Sequence, residues 1–243
     1  MLRRTLLVGL PLLVASTAAA EPFSITASDG TIIFGDRLPA SGTRLATLLL
    51  FHMAGSNFAE YAPLAPQFAA RGFETLAIDA RSGGRAFGRD NATVTKLRRS
   101  TDFAAALPDL RAAYAFARSQ NPTGKIIAIG SSYSAALVFL LAASTPDLTA
   151  IAAFSPGEFI AGASIRDAAS HLKCPCYVTS ASDSGEINEA KRLAAAVPGG
   201  RGQHVAPRQG LHGASSLRAD QNPGGAATNI ADLMAFLSRV ATA

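Results

Sequence analysis

Residues 125–137, the most informative segment of the chain, read KIIAIGSSYSAAL. A run of apolar residues ends in the sequence GSSYS (residues 130–134), after which small apolar residues resume. A continuous apolar run is typical of a strand that is buried on both faces. Small-x-Ser-x-small between a strand and a helix is typical of a sharp turn that projects the central serine outward. The stretch therefore predicts a buried strand, a turn that presents Ser132, and a helix.

Outward from this stretch, short apolar runs alternate with segments of helical spacing. The other runs lie at residues 45–51, 73–80, 148–154, 176–181 and 203–207, and the helical segments at 60–71, 101–120, 134–144, 187–197 and 228–240. Two short alternating runs around Ser28-Asp29-Gly30 are typical of a hairpin. The order predicts an α/β fold in one domain, residues 21–243. Its sheet is mainly parallel, with an antiparallel N-terminal edge hairpin and helices on both faces.

Polar clusters follow the ends of these runs, where sites gather in sheets of this kind. Besides GSSYS they are HMAGSN, DARSGGRAFG, SPGEF, SASDSGE and GLHGAS. Ser132, Asp183 and His212 therefore all follow predicted strands. A serine hydroxyl needs a base to take its proton, and a neutral imidazole with a pKa near 6.5 is suited to that role.

In these motifs and in the order of its elements, the chain resembles the α/β-hydrolase family, and more narrowly its small dienelactone-hydrolase-like members. The resemblance implies a triad of Ser132 as nucleophile, Asp183 as acid and His212 as base. Glu186 is a rival carboxylate, and Ser131 competes as nucleophile if the turn is shifted by one residue. Ser134 stands where the family's G-x-S-x-G pattern has its second glycine.

The same resemblance implies an oxyanion hole made of two backbone amides. One belongs to Tyr133, the residue after the nucleophile. The second comes from the stretch FHMAGSN, where either Met53 or Ala54 carries the amide. The segment DARSGG (residues 79–84) resembles a family loop with a structural role, in which Arg81 is expected to bind neighbouring loop carbonyls.

The N-terminus predicts export. Arg3 and Arg4 precede the apolar run LLVGLPLLVA, and small residues follow at positions 18–20. This pattern predicts a signal peptide over residues 1–20 and a periplasmic or secreted protein without stable membrane insertion. The apolar run is too short for a membrane span.

The composition of the chain limits which partners and ligands we expect. The formal charge is +5, but bases and aromatics do not alternate as they do on nucleic-acid surfaces, so we expect no nucleic-acid partner. Cys174 and Cys176 are the only two cysteines, and we expect two small apolar side chains leading into a strand rather than a strained disulfide. We also expect no metal and no cofactor.

Fewer than twenty residues separate Ser155 from the next strand, which leaves room for a loop and one short helix, so we expect a minimal lid or none. Glu158, Phe159, Met53 and Tyr133 are candidates to line an open pocket. The sequence thus predicts a serine hydrolase acting on small-molecule esters. A hydrolase-fold binding protein without activity, an acyltransferase and a peptidase with the same triad stay open as alternatives.

Overall fold

The computed structural model describes residues 19–243, so the predicted signal segment lies outside the described residues except for Ala19 and Ala20. Eight strands form one sheet in the order β1-β2-β4-β3-β5-β6-β7-β8. The strands are β1 (Glu21–Thr26), β2 (Ile32–Leu38), β3 (Ala46–Phe51), β4 (Phe73–Ile78), β5 (Ile126–Ser131), β6 (Ala150–Phe154), β7 (Cys176–Thr179) and β8 (Gly202–His204). The helices are α1 (Ala65–Ala69), α2 (Ala92–Leu97), α3 (Leu107–Gln120), α4 (Tyr133–Ala143), α5 (Ile165–Ser170), α6 (Ser184–Ala196) and α7 (Ala226–Thr242).

The strand directions confirm the predicted sheet. β1 pairs with β2, and β2 with β4, in antiparallel fashion. The pairs from β4 through β3, β5, β6 and β7 to β8 are parallel. The hairpin of β1 and β2 is therefore the antiparallel edge, and the carboxyl ends of the parallel strands meet along one rim of the sheet.

Both faces of the central strands are covered, as their continuous apolar runs predict. Every residue of β3, β4 and β5 is buried. Leu49 and Phe51 pack with α3 to α6 on one face, while Leu48 and Leu50 pack with α1 and α7 on the other. Each such side chain stabilises the fold by roughly 1.5–3 kcal/mol through burial alone, which fixes the strands that carry the rim.

Two local elements differ from the predicted ones. The helix expected over residues 60–71 is replaced by a 3₁₀ helix (Phe58–Tyr61) and the short α1, in which a proline occupies the first turn. A proline lacks the amide that a helix interior needs but is tolerated in a first turn, so α1 begins there. Helix α2 was not predicted, and it is a short helix capped by the Asn91 side chain.

Cys176, the first residue of β7, and Cys174, two residues before it, are both free and buried. Burial raises the pKa of Cys174 to about 11 and raises that of Cys176 as well. Both thiols therefore behave as small apolar side chains, as expected from the sequence. Within residues 19–243, no helix combines the length and apolarity that a membrane span requires.

The turn between β5 and α4 places Ser132 at the rim. Its backbone has φ 58° and ψ −121°, outside the regions that most residues adopt. Gly130 is required here, because an added Cβ would collide with the Ser134 carbonyl oxygen. Ser134 itself donates from Oγ to the His52 carbonyl at 2.7 Å. The serine that replaces the second family glycine thus ties α4 to the end of β3.

We predict that Gly130→Ala destabilises the protein by about 2 kcal/mol or more, because the new methyl group meets backbone that cannot move freely. Ser134→Ala, which removes only the bond to His52, should cost about 1 kcal/mol. Chemical denaturation of both variants measures the difference. Equal losses would show that the turn has room for a Cβ at position 130.

Candidate active site

The predicted nucleophile and base meet at the rim. Ser132 is 9% exposed and follows β5 directly. Its Oγ lies 2.8 Å from Nε2 of His212, which stands in the loop after β8 and just before a 3₁₀ helix (Gly213–Leu217). The His212 side chain is 45% exposed, so this edge of the site is open to solvent.

The segment that follows β8 and carries His212, residues 205–218, is called the histidine loop here and includes the 3₁₀ helix. Two buried serines hold it in place. The Gly213 amide donates to Ser155 Oγ at 2.9 Å, and the Ala214 amide donates to Ser131 Oγ at 2.9 Å. Ser131 is thus engaged as an acceptor and fully buried, which leaves Ser132 as the serine that faces the histidine. Ser155 has a positive φ of 54° and follows β6. Sequence reasoning missed its role, although it begins the polar cluster SPGEF.

The structure pairs the histidine with Glu186 instead of the expected acid, Asp183. Nδ1 of His212 lies 2.8 Å from Oε1 of Glu186, not beside Asp183. Asp183 is the N-cap of α6, and its Oδ1 accepts from the amides of Gly185 and Glu186 at 2.8 and 3.2 Å. A carboxylate that satisfies the free amides of a helix start is turned toward that helix and away from the histidine. Asp-x-x-Glu is also the spacing of a capping pair, which was the available signal.

Glu186 is held by more than the histidine. Its Oε2 accepts from the Ala181 amide at 3.0 Å. Partial burial raises the pKa of Glu186, but the neighbouring Ser155 hydroxyl, His212 and the Ala181 amide outweigh it, so the pKa lies below its ordinary value. The carboxylate is therefore ionised at neutral pH, as is required to stabilise a histidine that becomes protonated.

One of the two alternatives for the second oxyanion amide is excluded. The Met53 amide donates to Oε2 of the buried Glu60 at 2.7 Å and is therefore not free to bind a substrate oxygen. Ala54 is an exposed residue, and within residues 19–243 its amide has no hydrogen-bond acceptor. The Tyr133 amide is the first of α4, and amides of a first helical turn lack partners inside the helix.

His52 is a structural histidine. Its Nε2 accepts from the Ala80 amide at 2.9 Å, so Nδ1 carries the proton and donates to the Met53 carbonyl at 2.7 Å. Burial lowers the pKa of His52, which keeps the ring neutral. The ring therefore holds the loop after β3 instead of taking part in proton transfer.

Arg81 is structural as expected, but its expected partners are wrong. It binds carboxylates: its Nε and Nη2 donate to Asp109 at 2.9 and 2.6 Å, and a further pair forms with Asp29. Because Asp109 is fully buried, its charge needs a fixed cation beside it, and a carbonyl would not neutralise the arginine. The ion pairs join the loop after β4 to α3 and to the β1–β2 turn.

The candidate pocket residues divide into two groups. Phe159 is 42% exposed and Met53 is partly exposed, so both can line an open pocket. Leu211, which was not among the candidates, stands beside the histidine and is 38% exposed. Tyr133 is fully buried with its ring stacked on Phe103 at 4.7 Å, so its side chain does not line an open pocket. Glu158 accepts from the first amides of α5, those of Ile165 and Arg166, and is also engaged.

Comparisons with known proteins identify the family and the fold of the chain. Residues 42–184 match the family model described as serine aminopeptidase, S33. A search of curated proteins found no match. Several solved structures have the same fold. An esterase from Pyrococcus furiosus is 16% identical over 85% of this chain and 87% of its own, with a TM-score of 0.63.

Two other solved structures are similar over most of the chain. A dienelactone hydrolase from Anabaena variabilis is 15% identical over 78% of this chain and 85% of its own, with a TM-score of 0.62. Brefeldin A esterase, described as a bacterial homologue of human hormone-sensitive lipase, is 15% identical over 97% of this chain and 81% of its own, with a TM-score of 0.70. At these identities the likeness shows the fold.

Amide substitutions can show which of the two carboxylates, Glu186 or Asp183, supports the histidine in catalysis. We predict that Glu186→Gln lowers kcat for an ester substrate by about 10³-fold or more, because an amide opposite Nδ1 favours the wrong histidine tautomer. Asp183→Asn keeps a capping oxygen and should change kcat by less than about 3-fold. Steady-state kinetics of both variants decide the assignment. A larger loss in Asp183→Asn would restore Asp183 as the acid.

Proposed function

Because the chain belongs to the serine aminopeptidase S33 family of the α/β-hydrolase superfamily, we propose that it is a serine hydrolase that cleaves small carboxylic esters. One observation carries the proposal: Ser132 Oγ, His212 and Glu186 form a continuous hydrogen-bonded chain, with 2.8 Å at each link. This is the arrangement that activates a serine hydroxyl.

In the proposed acylation step, Ser132 Oγ attacks the ester carbonyl while His212 Nε2 takes its proton. The carbonyl oxygen becomes an oxyanion that accepts hydrogen bonds from the amides of Tyr133 and Ala54. Glu186 stabilises the imidazolium through Nδ1. His212 then gives the proton to the leaving alcohol, and the acyl group stays on Ser132 as an ester.

Deacylation uses the same groups in reverse. His212 takes a proton from a water molecule, whose oxygen attacks the acyl carbonyl and forms a second oxyanion. Collapse of this intermediate returns the proton to Ser132 Oγ and releases the carboxylic acid. The exposed edge of His212 supports this step, because water reaches the base without a lid having to open.

The surroundings of the triad support small or flexible acyl groups. Between β6 and β7 the chain has room only for α5, so no lid domain covers the rim there. Phe159 and Leu211 offer apolar surface that is already exposed to solvent. A long acyl chain would gain little burial in such an open site, because the apolar contribution scales with the area removed from water.

Peptide cleavage is a second candidate, because the matching family model is described as an aminopeptidase. An aminopeptidase binds the free α-amino group of its substrate, which calls for an available carboxylate near the nucleophile. Glu158 and Asp183 lie in rim loops, but both accept hydrogen bonds from helix amides. This engagement favours the ester over the peptide.

We also propose that the protein is exported to the periplasm or the medium and loses residues 1–20 on the way. The paired arginines, the apolar run and the small residues before position 21 support this. Mass spectrometry of the protein recovered from its native cell fractions tests the proposal. A chain that begins at Glu21 is expected, and a cytoplasmic chain that retains residues 1–20 would contradict it.

We predict that a fluorophosphonate labels Ser132 and that p-nitrophenyl acetate and butyrate are cleaved faster than the laurate. His212→Ala should abolish both labelling and turnover and leave the thermal unfolding temperature nearly unchanged, since the ring is half exposed. Peptide mapping by mass spectrometry identifies the labelled serine. Aminoacyl p-nitroanilides are the matched peptidase substrates. Their preferred cleavage would support the second candidate, and a folded protein inert toward all probes would indicate a binding protein.

A further inference from the structure

Glu60 is a buried carboxyl group that the proposed mechanism does not use. It lies in the 3₁₀ helix (Phe58–Tyr61) and has no exposed surface. Its Oε2 accepts from the Met53 amide at 2.7 Å. Among residues 19–243, no hydrogen-bond partner is found for its Oε1. Burying a carboxyl group with one oxygen unpaired lowers the stability of the fold. We therefore expect the hydrogen bond that it does make, to the Met53 amide, to have a role in the site.

The contact with Met53 acts on the neighbouring peptide group. The Met53 carbonyl is fixed by His52 Nδ1 at 2.7 Å and by the Ser56 amide at 3.2 Å. In a trans peptide, the Ala54 N–H belongs to the same plane as the Met53 carbonyl and points the opposite way. Glu60 holds the N–H of Met53, which belongs to the preceding peptide group, between His52 and Met53. With both peptide groups of Met53 restrained, the direction of the Ala54 N–H is set.

Glu60 also borders the other two loops of the site. The Ser131 hydroxyl is its neighbour, and Ser131 Oγ accepts from the Ala214 amide in the histidine loop. Arg218, at the end of the same loop, donates to the backbone carbonyls of Ala59 and Glu60 at 2.9 and 2.8 Å. The segment that carries Glu60 is therefore contacted by three parts of the site. These are the loop after β3 that carries Met53 and Ala54 (the oxyanion loop), the turn between β5 and α4 (the nucleophile turn) and the histidine loop.

We propose that Glu60 is a positioning residue for the oxyanion hole, in which its carboxyl oxygen holds the Met53 amide and thereby aims the Ala54 amide at the substrate carbonyl oxygen. This inference rests on the proposed esterase function. Either protonation state of the carboxyl group supplies an acceptor oxygen, and so does the amide of a glutamine. The part of the side chain that matters is the acceptor, not the charge.

The charge has a separate effect on stability. Burial raises the pKa of Glu60 to about 7, opposed by the Ser131 hydroxyl, the Met53 amide, the charge of Arg218 and the Ser56 hydroxyl. The other titratable groups that face it are the phenols of Tyr61 and Tyr133. A carboxyl whose pKa is higher in the folded state stabilises the fold most below its ordinary pKa of 4.5. That stability is lost as pH rises through about 7.

The matched pair Glu60→Gln and Glu60→Met tests the proposal, because the two side chains have similar length and only glutamine keeps an acceptor. We expect Glu60→Gln to keep kcat within about 3-fold, and Glu60→Met to lose about 10²-fold in kcat with KM changed by less than about 3-fold. Glu74→Gln and Glu74→Met are the controls. Glu74 is a second buried carboxylate, four residues or about 13 Å back from the rim end of β4. Neither control should change kcat per folded molecule by more than about 3-fold.

A folded Glu60→Met variant with wild-type kcat would overturn the proposal, as would an equal loss in both Glu60 variants. If Glu60→Met does not fold, amide hydrogen exchange of the wild-type protein decides. Slow exchange at Met53 and fast exchange at Ala54 are expected, and fast exchange at Met53 would overturn the hydrogen bond. This readout needs no substrate. An inactive wild-type protein with a protected Met53 amide would therefore refute the proposed function and leave the loop geometry standing.

The stability of Glu60→Gln provides an independent prediction. Its thermal unfolding temperature should exceed that of the wild type increasingly between pH 5 and pH 8, because only the wild type ionises a buried carboxyl over this interval. Calorimetry across this range measures the difference, with Glu74→Gln as control. Glu74 has its pKa lowered, since hydrogen bonds from Arg37 and Arg44 outweigh burial, so this control should lack the rise. A constant difference for Glu60→Gln would contradict the burial of an ionising group.

Discussion

The sharp turn between β5 and α4 is the constraint on which the site depends, since each serine around it binds a different part of the rim. Ser132 faces the histidine, Ser131 accepts from the Ala214 amide in the histidine loop, and Ser134 donates to the His52 carbonyl at the end of β3. A cluster of hydroxyls at the end of a buried strand is therefore not a cost to the core. Its members join three loops to one strained backbone position.

The sheet follows from patterns that are strong in the sequence. Short, continuous apolar runs are typical of central strands that are buried on both faces, and the helical segments between them indicate parallel crossovers. Two short helical segments were not predicted correctly, because a few residues carry little hydrophobic periodicity. Helix α2 is six residues long, and the expected helix over residues 60–71 is interrupted by prolines. Both depend on tertiary contacts and caps more than on their own pattern.

Site residues could be predicted from the sequence where the residue type and its place after a strand both indicate the role. They could not be predicted where two nearby residues differ only in the direction of the group that matters. Ser132 and His212 follow from the turn motif and from their places after strands. Asp183 and Glu186 stand three residues apart in one helix start, so either carboxylate could reach the histidine until the cap geometry is known. Likewise, the choice between Met53 and Ala54 depends on a contact with a carboxyl group seven residues further along the chain.

The two buried cysteines have a consequence for how the protein reacts as a whole. With both thiols buried at or just before β7 and their ionisation suppressed, the folded chain presents no thiolate to electrophiles or oxidants. A reagent that consumes nucleophiles would also meet an almost silent background, so the amount bound at saturation would count working enzyme molecules directly.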